Sequence, residues 1–303
     1  MSGAPLERYR ELLADEAPAF LEAAARPLPV ALWANPLRGD PHETSARIRR
    51  RCPDARPIPW SPHAWRLPAG ATPGRWPEFL LGLVHVQEEA ALLPAALLGA
   101  RPGERVLDAC AAPGGKTAQL AAAMADEGCL WAVDRSAGRL TALRRTLERL
   151  GVSCAAAICD DAARLPEPFL PFDRVLADVP CSCEGTTRKT RGHRSETSDG
   201  SREFLSGLQR RILARALALV RGGGVVVYAT CTYAPEENEA VLDSVPAEVA
   251  AIEPLAPLPG LRTRPGLAAW QGRAFRPDCA HALRLWPQDN DTGGFFVARL
   301  RRL

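Results

Sequence analysis

The chain is predicted to fold as a doubly wound, mostly parallel α/β sheet with a smaller α+β piece at its N-terminus. Three observations carry this. From Arg105 onward, short aliphatic runs alternate with amphipathic stretches of helical period. Several of these runs end in an acidic residue, Asp108, Asp134 or Asp178. The first run feeds a glycine turn, Cys110-Ala111-Ala112-Pro113-Gly114-Gly115-Lys116, that opens onto a helix. At 303 residues there is room for one large α/β unit and a smaller one, divided at 1–95 and 96–303.

Taken in order, Leu6 to Ala25 carries helical apolar spacing interrupted by Pro18. Pro29 to Ala34 reads as a strand and Pro41 to Arg51 as a basic helix, while the proline-rich stretch Pro53 to Arg75 reads as an irregular connector. Phe79 to Leu98 leads into the larger unit. There the expected strands are Arg105–Asp108, Cys129–Val133, Ala155–Cys159, Phe172–Val179, Val225–Thr230 and Phe295–Leu300. The expected helices start at Thr117, Ser136, Phe204 and Pro235.

Composition excludes several classes. Hydrophobic residues make up 47% of the chain, against wholesale disorder, and no apolar run is long enough to span a bilayer. The start lacks a basic-then-apolar secretory pattern, so a cytoplasmic location is expected. The nine cysteines form no regular framework and most, such as Cys129, Cys154 and Cys159, fall in apolar surroundings. Cys181-x-Cys183 alone is too little for a metal site, and no metal is expected. A net charge of +3 argues little by itself, but Arg47, Arg49, Arg50, Arg51 and Arg56 cluster, as do Arg188, Lys189, Arg191 and Arg194. Each cluster reads as a phosphate contact or as a solvated face. Only two of the 38 basic residues are lysine, Lys116 and Lys189, and both fall in loops expected to border the site. A compact ammonium differs from a planar guanidinium in shape and hydration, so these two sites, Lys116 above all, are expected to need the smaller cation.

The glycine turn suits a small polar ligand, because Gly114 and Gly115 admit close backbone approach. Gly115-Lys116-Thr117 matches the end of a P-loop, but Cys110 stands where that motif needs glycine. Asp134 at a strand end suits ribose hydroxyls, and Asp161 could accept from an adenine amino group. Two thiols, Pro180-Cys181 and Thr230-Cys231, lie just beyond two further buried strands. In a parallel sheet, strand carboxyl ends share one crevice, so thiols and glycine turn should converge.

At these residues the chain resembles the Sun/RsmB family of S-adenosylmethionine-dependent RNA cytosine-C5 methyltransferases, built on a Rossmann-like class I methyltransferase sheet. Pro59-Trp60, Gly82 to Gln87, Pro235 to Glu239 and Gly294 to Ala298 also look like family segments. The resemblance implies S-adenosylmethionine binding by Cys110 to Lys116 with Asp134, Arg139, Asp161 and Asp178. It implies Cys231 as nucleophile on cytosine C6, Cys181 as the group assisting release, Asp178 as the acid near N3 and Lys116 beside them. The expected partner is RNA, ribosomal before transfer RNA, acted on by a monomer, with the N-terminal piece supplying substrate reach. DNA cytosine-C5 enzymes attack through the Pro-Cys thiol, so Thr230-Cys231 favours RNA. Cys183-Glu184 departs from the usual glycine-containing pair, and Thr232 stands where serine is common. A non-catalytic RNA-binding assembly factor on the same fold would not need the two thiols, Asp178 or the intact glycine loop, and a small-molecule methyltransferase would not need the basic N-terminal helix.

Overall fold

The computed structural model describes residues 6–68, 70–189 and 198–303. Its strands are β1 (Val30–Ala34), β2 (Arg56–Pro57), β3 (Ala64–Leu67), β4 (Val84–Gln87), β5 (Arg105–Asp108), β6 (Cys129–Asp134), β7 (Ala155–Cys159) and β8 (Phe172–Asp178). They continue with β9 (Val220–Thr230), β10 (Ala250–Ile252), β11 (Arg264–Pro265), β12 (Ala269–Trp270), β13 (Arg273–Ala274), β14 (Leu283–Leu285) and β15 (Phe295–Arg302). The large sheet runs β11-β14-β15-β9-β8-β5-β6-β7, with β10 also on β15. The pairings from β9 through β8, β5 and β6 to β7 are parallel, and those involving β15 are antiparallel.

Strand alternation divides the core into two layers. Val106, Leu176, Val225 and Val227 face the helices Leu93–Leu98, Gly115–Ala123 and Ala137–Leu150. Leu107, Val175, Ala177, Val226 and Tyr228 face the other way, onto Leu208, Ile212 and Ala216 of helix Asp199–Leu219. Side chains of successive strand residues point to opposite faces, so a strand buried on both faces reads as a continuous apolar run. Among the described residues no helix is long and apolar enough to cross a membrane.

Four sequence expectations are corrected. The proline-rich connector contains β2 and β3, which pair with β1 to give a four-stranded sheet β2-β3-β1-β4. The N-terminal helix breaks at Ala14–Glu16, and Pro18 sits in the first turn of Ala17–Ala25, where its missing N–H costs nothing. Helix Asp199–Leu219 starts five residues before Phe204, capped by the Ser198 side chain. The expected helix from Pro235 is helical only over Glu239–Leu242.

The N-terminal segment packs directly on the larger unit. Tyr9, Leu13, Ala17 and Phe20 form one buried cluster with Tyr233 and Trp286, whose rings stack at 4.9 Å. Tyr233 lies two residues past Cys231, so this contact braces one of the thiol loops.

Candidate active site

The strand β5 delivers Asp108 into a buried position, where its carboxylate accepts from Thr117 Oγ1 at 2.7 Å. Burial above all, with Asp178 nearby, pushes Asp108 up to about 7 despite the Thr117 bond. Gly114 caps the next helix at φ +103°, and a Cβ there would meet Leu143 Cδ1 at 2.8 Å. At Gly115 a Cβ would stand 2.8 Å from His85 Nε2. Both glycines are therefore required by space, and Gly114 by its left-handed conformation as well.

Around this turn lies a cavity of about 230 Å³, lined by Asp108, Cys110 to Pro113, Gly115, Lys116 and Asp178 together with His85, Gln87 and Glu88. A second cavity of about 90 Å³ abuts it, lined by Cys231, Gly185, Gly294 and Phe295. Lys116, Asp178, Lys189, Glu88 and Ala91 line both, so the glycine turn and the thiol loop open onto shared walls. The convergence expected from the parallel sheet is what the structure shows.

Lys116 is largely buried, with Nζ 2.8 Å from Asp178 Oδ2. Burial works against its charge, but Asp178 and then Cys231 and Asp108 outweigh it, and the ammonium is held more firmly than in water. His85 projects from β4 and Nδ1 lies 2.9 Å from Arg149 Nη2. Arginine can only donate, so Nδ1 is the acceptor and the proton of the neutral ring sits on Nε2. Burial, then the Arg149 charge, lowers His85 to about 4.

Cys181 follows β8 and Cys231 follows β9, and their sulfurs are 3.3 Å apart. Their loops are tied together by Ser182 Oγ and Thr232 Oγ1 at 2.7 Å. Beneath them Glu184, fully buried, accepts from Thr232 Oγ1, from Arg202 and from the Tyr9 hydroxyl. Arg202 Nη2 is 3.1 Å from that carboxylate, which compensates its burial. Thr232 thus makes the bond that a serine would, and Glu184 anchors the loop in which it departs from the family pattern. Hydrogen bonds from Cys183 and Cys231, with burial, push the Cys181 thiol well up. For Cys231 the Cys181 contact acts downward, but Cys183, burial and Asp178 outweigh it and the net displacement is upward. Burial and these contacts thus favour the protonated form of both thiols.

The remaining expected cofactor residues stand apart from these cavities. Asp134, buried at the end of β6, is 3.2 Å from Arg139 Nη1, and Arg139 Nη2 donates to Ala112 O at 2.6 Å. Asp161 follows β7 and accepts from Ala163 N at 3.0 Å. Cys110 is pushed up chiefly by burial. The carboxylates Asp108, Asp134, Asp161 and Asp178 thus end or follow the neighbouring parallel strands β5, β6, β7 and β8, and Asp108 and Asp178 line the cavity at the glycine turn. That donor set fits a nucleoside carrying an amino acid.

Arg188 is neither a phosphate contact nor a solvated residue: its buried guanidinium donates to Arg26 O, Pro27 O and Thr292 O and pairs with Asp291. Arg191 and Arg194 lie outside the described residues. On helix Pro41–Arg51, Arg47 and Arg50 are exposed, Arg51 Nε pairs with Glu78 at 3.0 Å, and Arg49 lies over the Trp65 ring. Cys159 is exposed, contrary to expectation, because β7 is the edge of the sheet. Sequence reasoning gave no site role to His85, Gln87, Glu88 or Glu184. Polar residues closing the short β4 run were the signal available for the first three.

The fold and site define a class I methyltransferase. Comparisons with known proteins narrow this. The chain matches the family model described as 16S rRNA methyltransferase RsmB/F over residues 95–301, and the N-terminal domain of 16S rRNA methyltransferase RsmF over residues 4–89. It is 35% identical to the tRNA (cytosine(49)-C(5))-methyltransferase of Pyrococcus abyssi, over 98% of this chain and 95% of that one. It is also 35% identical to ribosomal RNA small subunit methyltransferase F of Serratia proteamaculans, over 93% of this chain and 59% of the relative. The crystal structure of a methyltransferase homolog protein from Pyrococcus horikoshii superposes with a TM-score of 0.87 at 32% identity, covering 98% of this chain and 94% of that one. The chain belongs to the RsmB/F family and is in class an S-adenosylmethionine-dependent RNA cytosine-C5 methyltransferase. It spans 50% to 63% of the length of several of the curated relatives it matches.

Proposed function

We propose that this protein transfers a methyl group to C5 of a cytosine in RNA through a covalent bond between Cys231 and cytosine C6. The observation that carries the proposal is the shared wall of the two cavities, where Lys116 and Asp178 stand between the glycine turn and Cys231. S-adenosylmethionine, held by Cys110 to Lys116 with Asp108, Asp134, Arg139, Asp161 and Asp178, would supply an electrophilic methyl group at that wall. The division at 1–95 and 96–303 assigns RNA reach to the first part and most of the chemistry to the second, with His85, Gln87 and Glu88 of the first part completing the cavity wall.

Cytosine C5 becomes nucleophilic only once C6 carries a new bond. The protonated form of Cys231 is favoured, so attack requires that its proton leave as the sulfur adds. Asp178 accepts that proton and delivers it to N3, which neutralises the ring as the S–C6 bond forms. The Lys116 ammonium fixes the Asp178 carboxylate in place. After methylation the C5 proton leaves to solvent water, N3 returns its proton through Asp178 to the departing sulfur, and the C6–S bond breaks to regenerate Cys231. Cys181, 3.3 Å from the Cys231 sulfur, is placed to assist that elimination. Reaching the thiol requires the cytosine to leave its stack.

Ribosomal RNA is the proposed substrate class, supported by the descriptions of both matching family models. Transfer RNA is a second reading, favoured by the Pyrococcus abyssi relative, which matches over nearly its whole length. Bisulfite sequencing of both RNA fractions from a deletion strain, with and without the restored gene, separates them. A 5-methylcytosine lost from the ribosomal fraction supports the first reading, and one lost only from transfer RNA replaces it with the second. No loss in either fraction contradicts the proposed activity.

A further inference from the structure

We infer that Cys181, Cys183 and Cys231 form a three-thiolate site for a soft divalent cation such as Zn2+, and that its occupation excludes cytosine attack. The Cys181-x-Cys183 spacing offers only two sulfurs, too few for a metal. The third comes from the loop after the neighbouring strand β9, fifty positions along the chain. All three sulfur atoms lie within 4.8 Å of one another, and Cys181 and Cys231 are already 3.3 Å apart. Three Zn–S bonds in tetrahedral directions would set the sulfurs about 3.8 Å apart, so small rotamer adjustments close the site.

The loop geometry that creates the cluster is particular. Cys183 adopts φ +59°, a left-handed conformation usually left to glycine, and its Sγ turns back to 3.3 Å from Cys181 O. Glu184, locked by Arg202 and Thr232, holds the turn immediately after it. Charge also suits the site: three thiolates and Zn2+ leave one net negative charge, and the Lys116 ammonium interacts with Cys231. Binding releases three thiol protons to solvent, so affinity should rise with pH. No oxygen or nitrogen ligand belongs to the cluster, which disfavours Mg2+.

The blocking effect rests on the proposed role of Cys231, whereas the binding does not. The test is therefore a titration of the full chain with Zn2+ and with Cd2+, whose thiolate charge-transfer band counts sulfur ligands, without RNA or cofactor. One ion per chain with a three-thiolate band is expected. Cys183→Gly, which restores an easy left-handed residue, should weaken binding by at least about tenfold and leave methylation in place but less sensitive to Zn2+. Cys183→Ala repeats the measurement in case glycine loosens the loop, and Cys159→Ser controls for the exposed thiol. Equal affinity in wild type and both Cys183 variants, or a band from fewer than three thiolates, overturns the site. Three-thiolate binding that leaves methylation untouched would keep the site and refute the role of Cys231.

Discussion

His85 and Asp108 line the same cavity and should give this fold two opposed pH dependences. His85 is lowered from 6.5 to about 4, by burial first and by Arg149 second. The unfolded chain takes up this proton near 6.5, so the stability His85 contributes is complete above that pH and is lost as pH falls towards 4. Acidifying from about pH 7 to about pH 5 should cost about 1.8 kcal/mol through this group, at about 1.36 kcal/mol per pKa unit. Asp108 is raised from 3.8 to about 7, chiefly by burial. Here the unfolded chain loses its proton first, so stability falls as pH rises from about 3.8 to 7. Over the same acidification Asp108 should add about 2.3 kcal/mol. The two contributions nearly cancel in the wild type. His85→Gln keeps an acceptor for Arg149 and cannot titrate, so its gain in unfolding free energy on acidification should exceed the wild-type change by about 2 kcal/mol. Asp108→Asn should shift the same difference the other way by about 2 kcal/mol. Urea unfolding at both pH values reads this, and comparing differences removes the constant cost of repacking. Wild-type pH dependence in both variants would refute the assignment of these two shifts to burial in this cavity.

Three further outcomes follow from the same geometry. Arg284 and Glu239 form a buried ion pair, with Arg284 also donating to Tyr233 O at 2.9 Å; Arg284→Met should cost about 3–5 kcal/mol in urea unfolding, and Arg284→Met with Glu239→Leu clearly less. Lys116→Met should lower kcat by at least about 100-fold with RNA binding retained, and Lys116→Arg should not rescue it, because a planar guanidinium cannot occupy the 2.8 Å contact with Asp178 in the same way. Arg47→Ala and Arg50→Ala should each flatten the salt dependence of RNA binding by about one counterion without changing unfolding; unchanged slopes would make that helix face merely solvated.

The central sheet was legible because its strands are buried on both faces and end in chemically distinctive residues. Asp108, Asp134, Asp178 and Thr230 stand where the alternation of apolar runs put them. The strands β2 and β3 were not, since proline and arginine obscure their period and tertiary pairing with β1 decides them. The same holds for Arg188, where the basic run gave no sign that three backbone carbonyls would collect one guanidinium. Within the site, the glycine turn and the thiols announce themselves by residue type. His85, Glu88 and Glu184 contribute through packing across elements far apart in sequence, which the polar end of the β4 run hints at for the first two and no local pattern records for Glu184.

The most direct test is to incubate Cys181→Ser and Cys231→Ser separately with RNA and S-adenosylmethionine and run each on a denaturing gel. The account predicts a covalent protein–RNA band that accumulates with Cys181→Ser, because elimination is impaired after attack by Cys231. With Cys231→Ser it predicts no band and no 5-methylcytosine. Methylation surviving in Cys231→Ser, or a covalent band formed through Cys181 in that variant, would contradict it.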